Sequence, residues 1–184
     1  MNFFIDSHAH LNDPAFDTDR DSLLQHTLPQ AGIVHSIEIG CSPEEWLPAL
    51  QLASSYPALV HAVLGVHPEY AVKLGENDLA RLAQLLPDPR NTAVGEIGLD
   101  YTCLDISPKD LQQKTFQQML ELGNQTQLPL VLHIRRQGED YAAYEDSFYA
   151  LKHNWKGASR TKHAGVLHCF CARYEEAKRA LDMG

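Results

Sequence analysis

Residues 6–10, Asp-Ser-His-Ala-His, place two imidazoles two positions apart at the end of the apolar run Phe3-Phe4-Ile5. In extended backbone, side chains two apart project to the same side, so His8 and His10 can grip one cation through ring nitrogens. Asp6 either orients such a ligand or caps the turn. Gly95-Glu96-Ile97-Gly98-Leu99-Asp100 is a second piece, with Glu96 at the tip of an apolar strand between glycines that admit close neighbours. A carboxylate there is costly unless paired or coordinated, and its two oxygens can each take a metal. The plainer reading of Glu96 is a salt bridge to a loop arginine. His133 after Pro-Leu-Val-Leu and His168 after Gly-Val-Leu end their apolar runs in the same way.

One strand-end histidine is ordinarily a satisfied core residue. His8, His10, Glu96, His133 and His168 together, on several strand tips, point instead to a site for one or two divalent metal ions. Mixed imidazole and carboxylate donors suit zinc, manganese or iron, and suit magnesium less naturally. Arg135 lies two residues beyond His133, on the same side, where its guanidinium can hold a phosphate or carboxylate with two parallel hydrogen bonds. Arg136 reads as a surface charge. His67, in Gly-Val-His-Pro, either donates to an anionic substrate or stabilises its turn. His26, His35, His61, His153 and His163 have no partners in pattern and read as structural or exposed, as do Glu121, Glu175 and Glu176 on helix faces. Cys41 and Cys103 stand alone, and Cys169-Phe170-Cys171 is a poor disulfide framework; all four read as free thiols.

These residues need positioning elements, and the sequence supplies a rhythm. Apolar, β-branched runs at 3–6, 33–39, 58–66, 92–97, 129–134 and 164–170 alternate with helix-like stretches. Ser107-Pro108 is a start signal; Gly32, Gly123 and Gly184 are stop signals. Such alternation predicts a parallel sheet with covered faces. Parallel-sheet enzymes collect chemistry at the carboxyl ends of strands, and histidines or carboxylates decorate five of the six tips. An open sheet concentrates chemistry at one switch point, so the even distribution favours a barrel. No GxGxxG follows the first strand and no GxxxxGK[ST] occurs, which argues against nucleotide-binding folds.

The 184-residue length and 44% hydrophobic content allow one sizeable core. The net charge of −9 excludes a general basic field for nucleic acid, so a phosphate-bearing substrate needs local attraction from metals or placed arginines. No apolar run reaches membrane-span length and no basic-then-apolar leader is present, so the expectation is a cytoplasmic protein without a membrane partner.

DSHAHL, GVHP, GEIGLDY, PLVLHIRR and GVLHCF occur in this order and resemble the signatures of the TatD family of metal-dependent deoxyribonucleases. The likeness covers nearly the whole chain. It implies an α/β fold, an amidohydrolase-like TIM-type (β/α)8 barrel with a metal pair at the strand tips. By the resemblance, His8 and His10 bind one metal, Glu96 bridges both as the catalytic carboxylate, and His133 and His168 serve the second. His67 and Arg135 would hold the substrate phosphate. The implied activity is phosphodiester hydrolysis in DNA, largely exonucleolytic, on single strands or 3' ends.

Two departures stand out. The family follows HCF with a small residue and glycine, where this chain has Cys171-Ala172. A barrel of this type takes ~250 residues and eight strand–helix units, and only six are counted here. Residues 1–184 are therefore expected to form a single C-terminally truncated barrel domain, without the last two units and the family's remaining metal-ligand aspartate. Asp182 lies in a helix and is no substitute. Unpaired first and sixth strands are expected to promote self-association. Two other readings stay open: a metallohydrolase of the same barrel type acting on a small ester, amide or aminoacyl bond, and a non-catalytic, truncated metal-binding product.

Overall fold

A computed structural model describes residues 3–157 and 164–183 of the chain. Six parallel strands, β1 (Phe4–Ala9), β2 (Ile33–Gly40), β3 (Val60–Leu64), β4 (Asn91–Asp100), β5 (Leu130–Arg135) and β6 (Gly165–His168), pair in sequential order. The crossovers carry α1 (Arg20–Ser22) and α2 (Leu28–Gln30), joined by a π turn, Leu23–Thr27. They continue with α3 (Trp46–Ser55), α4 (Asp78–Leu85), α5 (Lys109–Thr126), α6 (Ala142–Asn154) and α7 (Tyr174–Asp182). The sheet curls into a nearly closed TIM-type barrel. β1 and β6 do not pair with one another, yet their tips meet, with the His8 and His168 rings 3.4 Å apart.

Alternation along each strand divides the apolar residues between two cores. On β3, Ala62 and Leu64 face the helices and join Trp46, Leu82, Phe116, Met119 and Tyr144. Val63, between them, faces inward and packs with Ile39, Cys41, Ala93 and Val131. The outer strands carry the exposed apolar residues Phe4 (53%), Ile5 (61%) and Val166 (52%), as expected of unpaired edges.

Several bounds differ from the sequence reading. β1 continues past Asp6 to Ala9, and β4 runs on to Asp100, so Glu96 lies within its strand rather than at its tip. Gly123 does not stop α5, which ends three residues later and is capped by Gln127 in the left-handed region, φ 57°. The absent side chain at 123 instead makes room for Trp155, whose ring would lie 2.8 Å from an added Cβ. Gln112, on α5, ties that helix to β4: its amide oxygen accepts from Asp100 N and its amide nitrogen donates to Asp100 O, both at 2.8 Å. Ser107 does not cap α5; its hydroxyl donates to Pro68 O at 2.7 Å. Gly184 and His163 lie outside the described residues. Glu176 is no free surface charge, since it accepts from Arg173 N and from the Arg173 guanidinium at the start of α7.

Candidate metal centre

Two irregularities in the sheet aim the chemistry. On β1, Asp6 pairs with Ser36 and Ala9 with Glu38, so three steps on one strand match two on the other. This bulge lies across Ser7 and His8, and Asp6 Oδ1 accepts from His8 N at 3.2 Å, which favours the turn-capping reading of Asp6. On β4, Gly95 pairs with Val131 and Ile97 with Leu132, leaving Glu96 as the extra residue. A bulge reverses which residues face inward. Ala93 packs in the inner core before it, whereas Ile97 and Leu99 pack in the outer core after it. Glu96 and Asp100 consequently both face the interior.

Glu96 is the hub. Its Oε1 lies 2.9 Å from His133 Nδ1, and its Oε2 lies 3.3 Å from His8 Nε2 and 3.8 Å from Cys41 Sγ. His133 uses its other nitrogen as well, with Nε2 3.0 Å from Asp100 Oδ2. Asp100 also accepts from Thr102 N at 2.8 Å and Thr102 Oγ1 at 2.6 Å. His10 stands edge-on to His8 with ring centroids 5.1 Å apart, and His168 stacks on His8 at 6°. His67 packs edge-on against His133 at 4.3 Å, while its Nδ1 accepts from Glu69 N at 3.2 Å and so caps the short helix Pro68–Lys73.

The electrostatics follow from this packing. Burial opposes ionisation of Glu96, yet hydrogen bonds from His133 and His8 hold its carboxyl well below the usual carboxylate range. The same contest brings Asp100 down to about 2, with His133 as the leading favourable partner. Burial disfavours charge on His133, but Asp100 and Glu96 overcome it and raise this imidazole to about 9. His67 has no such support; burial, then the His133 charge, lowers it to about 4. Burial, then His8, lowers His168.

The arrangement fits a divalent cation. A proton on His133 stands between two ionised carboxylates, the position of positive charge that a cation can take over. Nδ1 of His8 is buried and has no hydrogen-bond partner among the described residues. Three donor groups, His8–Glu96–His168, His10–Cys41–Glu96 and His67–Asp100–His133, each have ligand atoms within 4.8 Å of one another. All five expected ligands thus converge, and so does His67. Arg135 is exposed at the end of β5; its carbonyl accepts from Tyr101 N at 3.1 Å, while its side chain makes no hydrogen bond among the described residues. Arg136 turns away, donating to Cys171 O at 3.2 Å and to Gly138 O.

Asp100 and Cys41 were not among the expected site residues. The Glu96, Gly98, Asp100 spacing was the available signal for Asp100. Nothing local marks Cys41, which meets Glu96 across 55 positions.

A profile of TatD related DNase matches residues 5–184. The chain belongs to the TatD family. Among curated relatives, the Bacillus subtilis uncharacterized metal-dependent hydrolase YabD is 31% identical over 97% of this chain and 65% of its own length. The 3'-5' ssDNA/RNA exonuclease TatD of Edwardsiella piscicida is 38% identical over 84% of this chain and 55% of its own length. Among solved structures, the TatD homologue YjjV of Escherichia coli K12 superposes with a TM-score of 0.81 at 31% identity, covering 98% of this chain and 65% of that one. The chain therefore spans less than two thirds of the length of these three proteins. No helix among its described residues is long and apolar enough to cross a membrane.

Proposed function

We propose that this centre holds one or two divalent cations and hydrolyses phosphodiester bonds in DNA, releasing nucleotides from single-stranded 3' ends. The observation that carries the reading is the division of labour within Glu96, whose Oε1 faces His133 of β5 while Oε2 faces His8 of β1. A carboxylate so placed suits two neighbouring cations; the family resemblance pairs His8 with His10 and His133 with His168, whereas the observed donor groups set His168 with His8, and His10 with Cys41, around Glu96. Bound cations supply Lewis acidity at the scissile phosphate and offset its negative charge.

The chain's own residues do the rest. Asp100 holds and orients His133 through Nε2. His67 accepts from a backbone N–H at Nδ1, so its neutral tautomer carries the proton on Nε2 and can donate to a phosphate oxygen. Exposed Arg135 is free to swing over the mouth and clamp a phosphate by its two-pronged guanidinium. This local positive charge lets a chain of net charge −9 take a polyanion. The relative named as an ssDNA/RNA exonuclease supports the nucleic-acid substrate.

A second reading, hydrolysis of a small ester, amide or aminoacyl bond, draws on the relative named only as a metal-dependent hydrolase. The separating experiment offers manganese- or zinc-loaded chain a 3'-labelled single-stranded oligonucleotide, a small phosphate diester and small acyl esters. Release of the 3'-terminal label from DNA, faster than cleavage of the small phosphate diester or the acyl esters, is the expected result. Intact DNA beside rapid acyl-ester cleavage favours the second reading. Bound metal with no hydrolysis leaves a metal-binding chain only.

A further inference from the structure

We propose that Cys41 is a thiolate ligand of the cation held by His10 and Glu96, and that it biases this side of the centre toward thiophilic metals; the proposal rests on the metal-centre reading above. Cys41 follows the last residue of β2 and is only 5% exposed. Its backbone is fixed on both sides: Cys41 N donates to Glu45 Oε2 at 2.7 Å, and Cys41 O accepts from His67 N at 3.0 Å. The side chain is thereby aimed inward, with Sγ 3.8 Å from Glu96 Oε2 and within 4.8 Å of both other donors of its group.

That separation suits coordination better than hydrogen bonding. A zinc ion ~2.3 Å from sulfur and ~2.1 Å from a carboxylate oxygen, at a tetrahedral angle, sets the two donors ~3.6 Å apart. The observed 3.8 Å needs almost no rearrangement to meet it. As a thiol contact it is long, and S–H is a weak donor. When the metal–sulfur bond forms, the S–H bond breaks and its proton passes to solvent, with no change in oxidation state. Thiolate favours zinc, cobalt or cadmium over magnesium and manganese.

Cobalt(II) is the probe. The whole chain, its Cys41→Ser and Cys41→Ala variants, and a Cys103→Ser/Cys169→Ser/Cys171→Ser variant are dialysed against cobalt and scanned in the near ultraviolet and visible. The expected result is a thiolate-to-cobalt charge-transfer band in the parent chain and the triple variant. In both Cys41 variants that band is lost while the visible ligand-field bands persist. Cadmium affinity is expected to fall roughly tenfold or more in Cys41→Ser while manganese affinity stays nearly constant. An undiminished charge-transfer band in the Cys41 variants, or ligand-field bands without charge transfer in the parent, overturns thiolate ligation and leaves the metal centre standing. No retained cobalt and no bands of either kind overturn both.

Discussion

The imidazole rings of His8 and His168 lie parallel, 3.4 Å between centroids and 6° from coplanar. They come from strands that share no hydrogen bonds, so the stack marks where the curled sheet brings its two outer strands together. Stacked rings at this distance tolerate two neutral imidazoles, and two cations poorly, consistent with the lowering of His168 by burial and by His8. Both residues also share a donor group with Glu96. His8→Ala and His168→Ala are therefore expected to be non-additive in zinc affinity, with a coupling of about 0.5–3 kcal/mol by double-mutant cycle. Additive losses measured by calorimetry would mean that the rings act independently.

His133 makes metal binding depend on pH. Its folded pKa of about 9 lies above the unfolded value of 6.5, so its contribution to stability is complete below pH 6.5 and lost as pH rises through 9. The metal-free chain should lose up to about 3 kcal/mol between those limits in urea titrations. Because a cation replaces the His133 proton, zinc or manganese affinity should climb over the same window. His133→Gln should flatten both trends. Affinity that does not change from pH 6.5 to 9 would contradict competition at this ring.

Glu38 offers a separate dependence. It is buried, accepts from Leu11 N at 2.6 Å and Asn12 N at 3.1 Å, and so fixes the chain just beyond His10. Burial raises its folded pKa to about 7 from 4.5, so the folded state keeps a proton that the unfolded state releases. Stability contributed by this group falls as pH rises from 4.5 through 7, by up to about 3 kcal/mol. Glu38→Gln should remove most of that slope in denaturation curves taken from pH 4.5 to 8. A slope equal to that of the parent would exclude Glu38 as its source.

The approach of β4 to β5 depends on Gly98. Its φ is +145°, and an added Cβ would sit 1.9 Å from His133 O. Gly138, φ +56°, has nothing within 4 Å of the same position. Gly98→Ala should cost on the order of 4 kcal/mol and displace His133. Gly138→Ala should cost only the left-handed backbone penalty, about 1–2 kcal/mol. Thermal unfolding of the two variants side by side checks this, and equal losses would contradict it.

Exposed Phe4, Ile5 and Val166 on the outer strands make association through sheet edges the expected behaviour at high concentration. Replacing Phe4 and Val166 with lysine should shift sedimentation toward the monomer. A parent chain that stays monomeric throughout would refute edge pairing.

The alternation of apolar runs and amphipathic stretches made the six strand–helix units legible, because the inner strands β2 to β5 are covered by helices and must be apolar. The histidines of the centre were legible because each stands at or near the end of its own run. Asp100 could be found only from its even spacing to Glu96, because the apolar pattern before the bulge points the other way. Strict alternation from Ala93 turns Ile97 and Leu99 inward, and only the extra residue reverses this. Cys41 was hidden because its partner is distant in sequence, and Gly123 misled because its small size serves Trp155 rather than a helix end. His67 matches the turn-stabilising reading, as a cap for the Pro68–Lys73 turn, and it also packs against His133 of the centre.

The most direct test of metal-dependent nuclease chemistry centred on Glu96 is nucleotide release from a 3'-labelled single strand, with and without manganese, by the parent chain and Glu96→Ala. Removal of the shared carboxylate is expected to lower release at least about 100-fold, the upper range for loss of even an outer-shell metal partner. Release should also stop on chelation and return with manganese. Equal release by parent and variant, or release indifferent to the chelator, would contradict the assignment.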